Sequence, residues 1–469
     1  MPFCKLKLLL ILPIALQIQL AIGQTFLVDT IFVNGNLQDQ INIVFLSDGY
    51  QQMEMDKYIT DVNSMLSSLF DQVPFKNYKN YFNAFAIRVP SQESGAMHPQ
   101  NSADPDCLGV PKVSTINNYF GSTFDYAGIH RLLAITKPGA AASILANQLP
   151  QYDLVFVLVN SPYYGGAGGD IATSSTHNSA SEISIHEIGH TFAFLADEYW
   201  AGSSYAAERP NLTQESNSST IKWKSWLNVN GIGIYPHAES PTWYRPHQSC
   251  KMRLLGNPFC SVCTENFVER IHSLTKPIIS FEPKTINLDL ENTDLQFKLF
   301  TLKPSPNTLK IEWKKANTVI GKNIESVTVP VSDFNSKITS ITATVIDTTS
   351  FTRNFNHLTT HLYSVQWIVK ADNIVTEVFS SLYEFQVTVF PNPIKYQLTF
   401  NLEIPISGNV SVILTDVSGK VKKTLVNKRL NAGLHSYEFP ASDVIPVPGI
   451  YFLNFNLNGN LITQRIIRE

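Results

Sequence analysis

Apolar residues follow three rhythms along the chain. The first is a single run, Leu8 to Leu16, behind Lys5 and Lys7 and ahead of Ala21-Ile22-Gly23. A basic start, a short apolar core and small residues before Gln24 form a secretory signal, with cleavage expected after Gly23. Gln17 and Gln19 interrupt the run before it reaches spanning length, and no other stretch is long and apolar enough to cross a bilayer. The second rhythm alternates buried runs with helical spacing. Ile41 to Leu46 is β-branched and apolar and ends at Ser47-Asp48-Gly49-Tyr50, which predicts a buried strand closed by a turn. Met53 to Leu69 places Tyr58, Ile59, Val62 and Leu66 on one helical face, and Phe82 to Val89 and Leu154 to Asn160 predict two further strands. These elements predict an α/β sheet supporting a periodic helix over Glu182 to Ala196. Asp48 stands at a strand end, where such a residue starts a turn or caps the next helix.

The third rhythm begins after about Leu274. Leu295 to Leu302, Leu309 to Trp313, Ser340 to Ile346 and Tyr363 to Val369 are short alternating runs separated by Pro, Asn, Asp and Ser. That spacing predicts a β-sandwich of immunoglobulin type over 276–385. A second strand-rich unit, 386–469, opens at Val387-Thr388-Val389-Phe390-Pro391-Asn392-Pro393 and contains a turn at Val417-Ser418-Gly419-Lys420. The fold class expected is therefore an α/β (α+β) domain over 24–275 followed by two all-β sandwich domains.

Composition changes this picture little. The 469 residues suit several domains, 44% hydrophobic content suffices for packed cores, and a formal net charge of −3 gives no sign of a nucleic-acid or anionic-membrane partner. Cys4 leaves with the signal, so Cys107, Cys250, Cys260 and Cys263 remain. An even count in an exported chain ranks two disulfides first, in any of three connectivities. Cys260-Ser261-Val262-Cys263 could instead serve a structural zinc site or a redox pair, but it lacks a second close Cys or His pair in the sequence. His357 and His361 have no carboxylate or cysteine beside them in the sequence that would suggest a metal.

The chemistry is concentrated in His186-Glu187-Ile188-Gly189-His190. Histidines four apart on a helix share a face about 6 Å along the axis, so both rings reach one ion, with Glu187 beside it. This is the Zn²⁺ arrangement in which two neutral histidines and a third ligand leave a position for water, and the glutamate takes that water's proton. Two histidines on an otherwise ordinary helix are the plain alternative. A carboxylate is the usual third ligand. Asp197 would lie about 10 Å beyond His190 on a continuous helix, so the chain must bend after about Phe194 for it to reach. Glu198 is the near rival, and Glu265 or His247 are distant ones. The loop Tyr163-Tyr164-Gly165-Gly166-Ala167-Gly168-Gly169-Asp170 lacks the Gly-Lys-Ser/Thr of a phosphate cradle and reads as a cleft rim or a plain connection. Tyr244 and Arg245 could face a developing oxyanion or serve in packing.

Several separated motifs, in order, carry a resemblance. Leu46-Ser47-Asp48-Gly49-Tyr50, Asn160 with the glycine loop, the His186–His190 run, Leu195-Ala196-Asp197-Glu198-Tyr199, Cys250-Lys251-Met252 and Phe259-Cys260-Ser261-Val262-Cys263 together resemble the IgA-peptidase family of zinc metallopeptidases over roughly Gln24 to Thr275. The resemblance implies a metzincin-like, zincin-type fold, zinc held by His186, His190 and Asp197, and Glu187 as base. It departs from the metzincin pattern in having Ala196 ten residues after the first histidine and no glycine between His190 and Gly202. Met252 would correspond to the methionine turn, or be core filler. The Pro-Asn-Pro start, the Asp-x-x-Gly-Lys turn and Gly449-Ile450-Tyr451 resemble the C-terminal sorting domain of the type IX secretion system. That likeness implies export through the periplasm, the secretion machinery as partner, and a secreted or outer-membrane-attached product. The expectation is a surface or secreted zinc endopeptidase acting on a protein or peptide, with host glycoprotein among candidate substrates. The alternative is a weakly active or inactive zinc module that grips host glycoprotein or glycan.

Overall fold

The computed structural model describes residues 25–371, 385–405, 407–417, 419–457 and 460–469; the expected signal segment 1–23 lies outside them. The chain divides into two units. The first takes in the chain to Ser280 with Phe300–Lys310 and Val345–Tyr363, and the second takes in Phe281–Leu299, Ile311–Thr344 and Ser364–Glu469.

The first unit is mixed α/β. Its sheet contains β1 (Leu27–Phe32), β2 (Ile41–Asp48), β3 (Phe82–Arg88), β4 (Leu154–Val159), β5 (Gly166–Ala167) and β6 (Ala172–Ser174) in the order β1-β3-β2-β4-β6-β5. The four inner strands run parallel and the two edges antiparallel. β2 is buried at every residue, as an unbroken apolar run in a parallel sheet covered on both faces must be. Ile41, Ile43 and Phe45 face one core, with α1 (Met55–Phe70). Val44 and Leu46 face another, with Ile144 and Leu145 of α2 (Pro138–Gln148). α1 begins two residues later than the periodicity predicts, because Gln52–Glu54 forms a 3-10 turn first.

α3 (Ala180–Thr191) lies against β6 and α1, and buries Ile185 and Ile188 in the first core. Each such side chain contributes about 1.5–3 kcal/mol by leaving water. α4 (Ser261–Leu274) joins the same core through Val262, Phe267 and Ile271. Asp48 is wholly buried and accepts hydrogen bonds from the backbone N–H groups of Phe120 and Ser122, so it anchors that connection to the end of β2.

His357 and His361 do have company, contrary to the sequence reading. Glu269 of α4 accepts from His357 Nδ1 at 2.7 Å and from His361 Nε2 at 3.1 Å. The carboxylate lies some ninety positions away in sequence, where local inspection does not reach.

Beyond the first unit the described chain is almost all β. The sandwich region has a sheet of Ile278–Glu282, Leu295–Thr301 and Ser326–Val329, and a five-stranded sheet ordered Asn287–Asp289, Tyr363–Lys370, Ile338–Asp347, Leu309–Lys315 and Thr318–Lys322. Trp313 and Trp367 stack at 5.8 Å in its core. The last stretch pairs Gln386–Phe390, Gln397–Ile404 and Gly433–Pro440 in one sheet, and Val421–Leu430, Gly408–Asp416, Gly449–Leu457 and Asn460–Arg468 in another. Alternation along Gly408–Asp416 puts Val410, Val412 and Leu414 inside. No described helix is long and apolar enough to cross a membrane.

Candidate active site

α3 stops at Thr191, short of the periodic stretch that runs to Ala196. Phe194 adopts φ +55°, and the Leu195 N–H returns to the Gly189 carbonyl at 2.9 Å. A left-handed phenylalanine costs roughly 1–2 kcal/mol, and it is the reversal that the spacing requires if Asp197 is to approach the histidines. Asn211 holds the returning segment by accepting from Ala196 N–H at 2.7 Å and donating to the Ala196 carbonyl at 2.8 Å.

Three donor atoms meet there. His186 Nε2 is 3.0 Å from Asp197 Oδ1, His190 Nε2 is 3.3 Å from the same oxygen, and the two Nε2 atoms are 3.2 Å apart. The other ring nitrogens face backbone carbonyls: His186 Nδ1 lies 3.0 Å from Lys251 O and His190 Nδ1 2.8 Å from Leu195 O. With both Nδ1 protonated, two Nε2 lone pairs and a carboxylate point at one another, which a cation relieves. Ligands about 2.0–2.1 Å from a tetrahedral zinc stand about 3.3–3.4 Å apart, so this donor set fits the ion. Burial opposes charge on His190, but its hydrogen bond to Asp197 and the charges of Asp197 and Glu187 push its pKa up to about 9.

Glu187 projects beside the triad. Burial, with the charge of Asp197, raises its pKa above the ordinary glutamate value, against the histidines and Arg131, which lower it. Gly168 passes so close that an added Cβ would lie 2.9 Å from Glu187 Oε2 and 2.8 Å from His190 Cβ. The glycine loop therefore runs along the site, with Gly166 bonded to the backbone of Arg131 and Leu133. A cleft of about 750 Å³ opens here, lined by the triad and Glu187 and also by Arg131, Tyr164, Tyr199 and Trp200. Tyr199 stacks on His186, and the Arg131 guanidinium lies over the Tyr199 ring at 5.3 Å. Sequence reading assigned neither Arg131 nor Tyr199 a role. Tyr199 follows Asp197 by two positions and was within reach of the motif, whereas Arg131 lies in a stretch without periodicity.

The other candidates are placed elsewhere. Glu198 turns away from the triad, wholly buried, to the cysteines. Glu265 accepts from Trp226 Nε1, Thr352 Oγ1 and Arg353 N–H. His247 accepts from Ser249 N–H. Tyr244 and Arg245 form a two-residue strand paired with Tyr235–Pro236 and do not line the cleft, although Arg245 contacts His237, which does. Met252 is fully buried against α3: a Cβ on Gly189 would lie 2.4 Å from its sulfur. The disulfide expectation is not met. Cys107, Cys250, Cys260 and Cys263 are all buried free thiols. Cys107 donates to Asp125, and the other three gather around Glu198, brought together by folding from the segment after α3, the turn at Cys250 and the start of α4.

Residues 30–237 match the family model described as IgA Peptidase M64. That span is similar to M64 peptidases. The similarity supports a hydrolase acting on peptides, of a metallopeptidase family, and the matched span includes the whole triad and stops short of Cys250. Residues 388–469 match the secretion-system C-terminal sorting domain, which indicates export to the cell surface or medium through the type IX machinery. No curated protein matches the chain. Among solved structures, latent PorU from Porphyromonas gingivalis is 15% identical, with 41% of this chain and 20% of that one covered and a TM-score of 0.18. Bacteroides uniformis beta-glucuronidase 3 is 11% identical over 48% and 28%, at 0.15. The fibronectin(III)-like modules of Clostridium thermocellum CbhA are 10% identical over 40% and 92%, at 0.13. The chain thus spans less than a third of the first two, and at these TM-scores none bears on fold or activity.

Proposed function

We propose that the protein is an exported zinc-dependent endopeptidase, with His186, His190 and Asp197 as ligands and Glu187 as general base. The observation that carries this reading is the meeting of two Nε2 atoms and one carboxylate oxygen within 3.3 Å of one another, in a cleft that also receives Glu187. Zinc bound there would supply Lewis acidity toward a peptide carbonyl and make a water deprotonable near neutral pH.

The chain's own residues supply the remainder. The Lys251 and Leu195 carbonyls fix the tautomer and tilt of the two imidazoles. Glu187 accepts the proton of the attacking water and returns it to the departing amine, and its raised pKa suits that exchange. Gly166 and Gly168 keep the rim thin, so a substrate backbone can come close to Glu187. Host glycoprotein remains a candidate substrate.

The test is digestion of a peptide library by the mature chain, by a chelated sample and by Glu187→Ala. Cleavage should vanish in both controls while Glu187→Ala keeps its zinc. Cleavage that survives both would overturn the mechanism, and full zinc without cleavage in the native protein would favour a binding module for glycoprotein or glycan.

A further inference from the structure

Cys250 sits in the turn before α4, Cys260 is the residue preceding that helix, and Cys263 lies in its first turn. Glu198 reaches them from the irregular segment that follows α3. All four are buried, Glu198, Cys250 and Cys263 completely so. Cys263 Sγ is 3.6 Å from Cys250 Sγ, 3.6 Å from Cys260 Sγ and 3.2 Å from Glu198 Oε1, and the four donor atoms all lie within 4.8 Å of one another.

These spacings are far longer than the roughly 2.05 Å of a disulfide. They approach the edges of a tetrahedron around zinc, about 3.8 Å between two sulfurs at 2.3 Å and about 3.5 Å between sulfur and oxygen. Three thiols cannot all pair, so oxidation would strand one of them beside a buried carboxylate. The carboxylate supplies a separate observation: Glu198 Oε2 is buried with no hydrogen-bond partner, although Oε1 receives Asn211 Nδ2 and the Cys263 thiol. A carboxylate enclosed by thiols can stay ionised only beside a counter-charge.

We infer that Glu198, Cys250, Cys260 and Cys263 bind a second metal ion, a structural zinc, separate from the His186, His190 and Asp197 position. Four protein donors close the coordination shell, which is the mark of a structural rather than a catalytic site. Binding replaces the thiol protons with the metal, so three protons leave as three sulfur–metal bonds form. The ion would lock three segments at once. Glu198 adjoins Asp197 and donates its N–H to the Met252 carbonyl at 2.7 Å, and the intervening Lys251 carbonyl receives His186 Nδ1. The turn and the returning segment that shape the active site are thus tied to α4 through one centre.

The experiment uses the full mature chain, purified without added metal and counted for zinc. Two ions per chain are expected, and one should remain after His186→Ala with His190→Ala. Loading that double variant with Co²⁺ should give intense thiolate-to-cobalt charge-transfer absorption, lost on adding Cys263→Ser. Should that variant fail to fold, alkylation of the native protein decides: the three thiols should resist until chelator and denaturant are both present, and zinc should be released with them. A native chain that holds a single ion, unchanged by the histidine substitutions, would uphold this site and count against the histidine site. A disulfide between any two of the three cysteines, or a double variant free of metal with three freely alkylated thiols, would overturn the inference.

Discussion

Gly189 stands between the two histidines, and the perturbation of most interest is Gly189→Ala. In an exposed helix the substitution stabilises by about 1 kcal/mol. Here the new methyl would lie 2.4 Å from Met252 Sδ and 3.0 Å from its Cε, where ordinary contact begins near 3.4 Å. Met252 is fully buried, and Leu195 is the methyl's third neighbour, so the sulfur must retreat by about 1 Å into a filled core. Overpacking of this kind costs roughly 1–3 kcal/mol, so the net change should run from neutral to about 2 kcal/mol destabilising. The larger effect is on the metal. Lys251 O, one residue away, holds His186 Nδ1, and Met252 O holds the Glu198 N–H beside Asp197. Disturbing groups that orient ligands typically weakens metal binding 10–100-fold. Competition against a zinc chelator, with thermal unfolding in parallel, measures both. Met252→Ala in the same chain should recover much of the affinity, since it opens the space the methyl needs. A Gly189→Ala protein that gains the full helix-propensity increment and binds zinc as tightly as the parent would refute this reasoning.

Three further outcomes are expected. The acid limb of kcat/KM should lie above the ordinary glutamate value of 4.5, because Glu187 must be ionised to accept a proton and burial raises its pKa. Arg131 lowers that pKa, so Arg131→Gln should move the limb to higher pH at unchanged zinc content; a limb that stays put or moves down contradicts the assignment. Glu269→Gln should destabilise the first unit by about 3 kcal/mol, the range for breaking a buried ion pair. Burial works against it, but the hydrogen bonds from His357, His361 and Thr352 hold Glu269 below the usual carboxylate range, so its contribution is lost as pH falls through its folded value. Burial likewise opposes the charged form of His357, yet its bond to Glu269 raises the pKa, so that contribution fades as pH rises through its folded value. The deficit of the variant in urea unfolding should therefore be largest between roughly pH 4.3 and 6.5, and a pH-independent deficit would exclude the ion pair as its cause. Removing residues 387–469 should stop the protein reaching the surface or medium, which fractionation and immunoblotting would show; undiminished export would leave the last β unit without a sorting role.

What could be read in the sequence, and what could not, divides along a physical line. Ile41 to Leu46, Leu154 to Asn160 and the His-Glu-x-x-His face were legible because periodicity and spacing are local properties of the chain. The need for a bend near Phe194 was legible too, from helix geometry alone, since an unbroken helix cannot return Asp197 to His190. The residue that makes the bend offers no such signal. Phenylalanine is a poor choice for the left-handed region, and it is held there by the Leu195 to Gly189 hydrogen bond and by Asn211, from further along the chain. The same limit explains the cysteines. Cys260 and Cys263 show only a pair, and an exported chain makes a disulfide the natural inference, because Cys250 and Glu198 join them only once the segment after α3 folds back over the turn before α4. Glu269 and its two histidines repeat the pattern. A motif whose partners lie within one helical turn announces itself, whereas a cluster built from three separated segments needs the fold before its chemistry can be seen. Glu198 marks the line most sharply: one residue from Asp197, it read as a rival ligand for the same ion, and the half-turn of backbone between them sends it to a different centre.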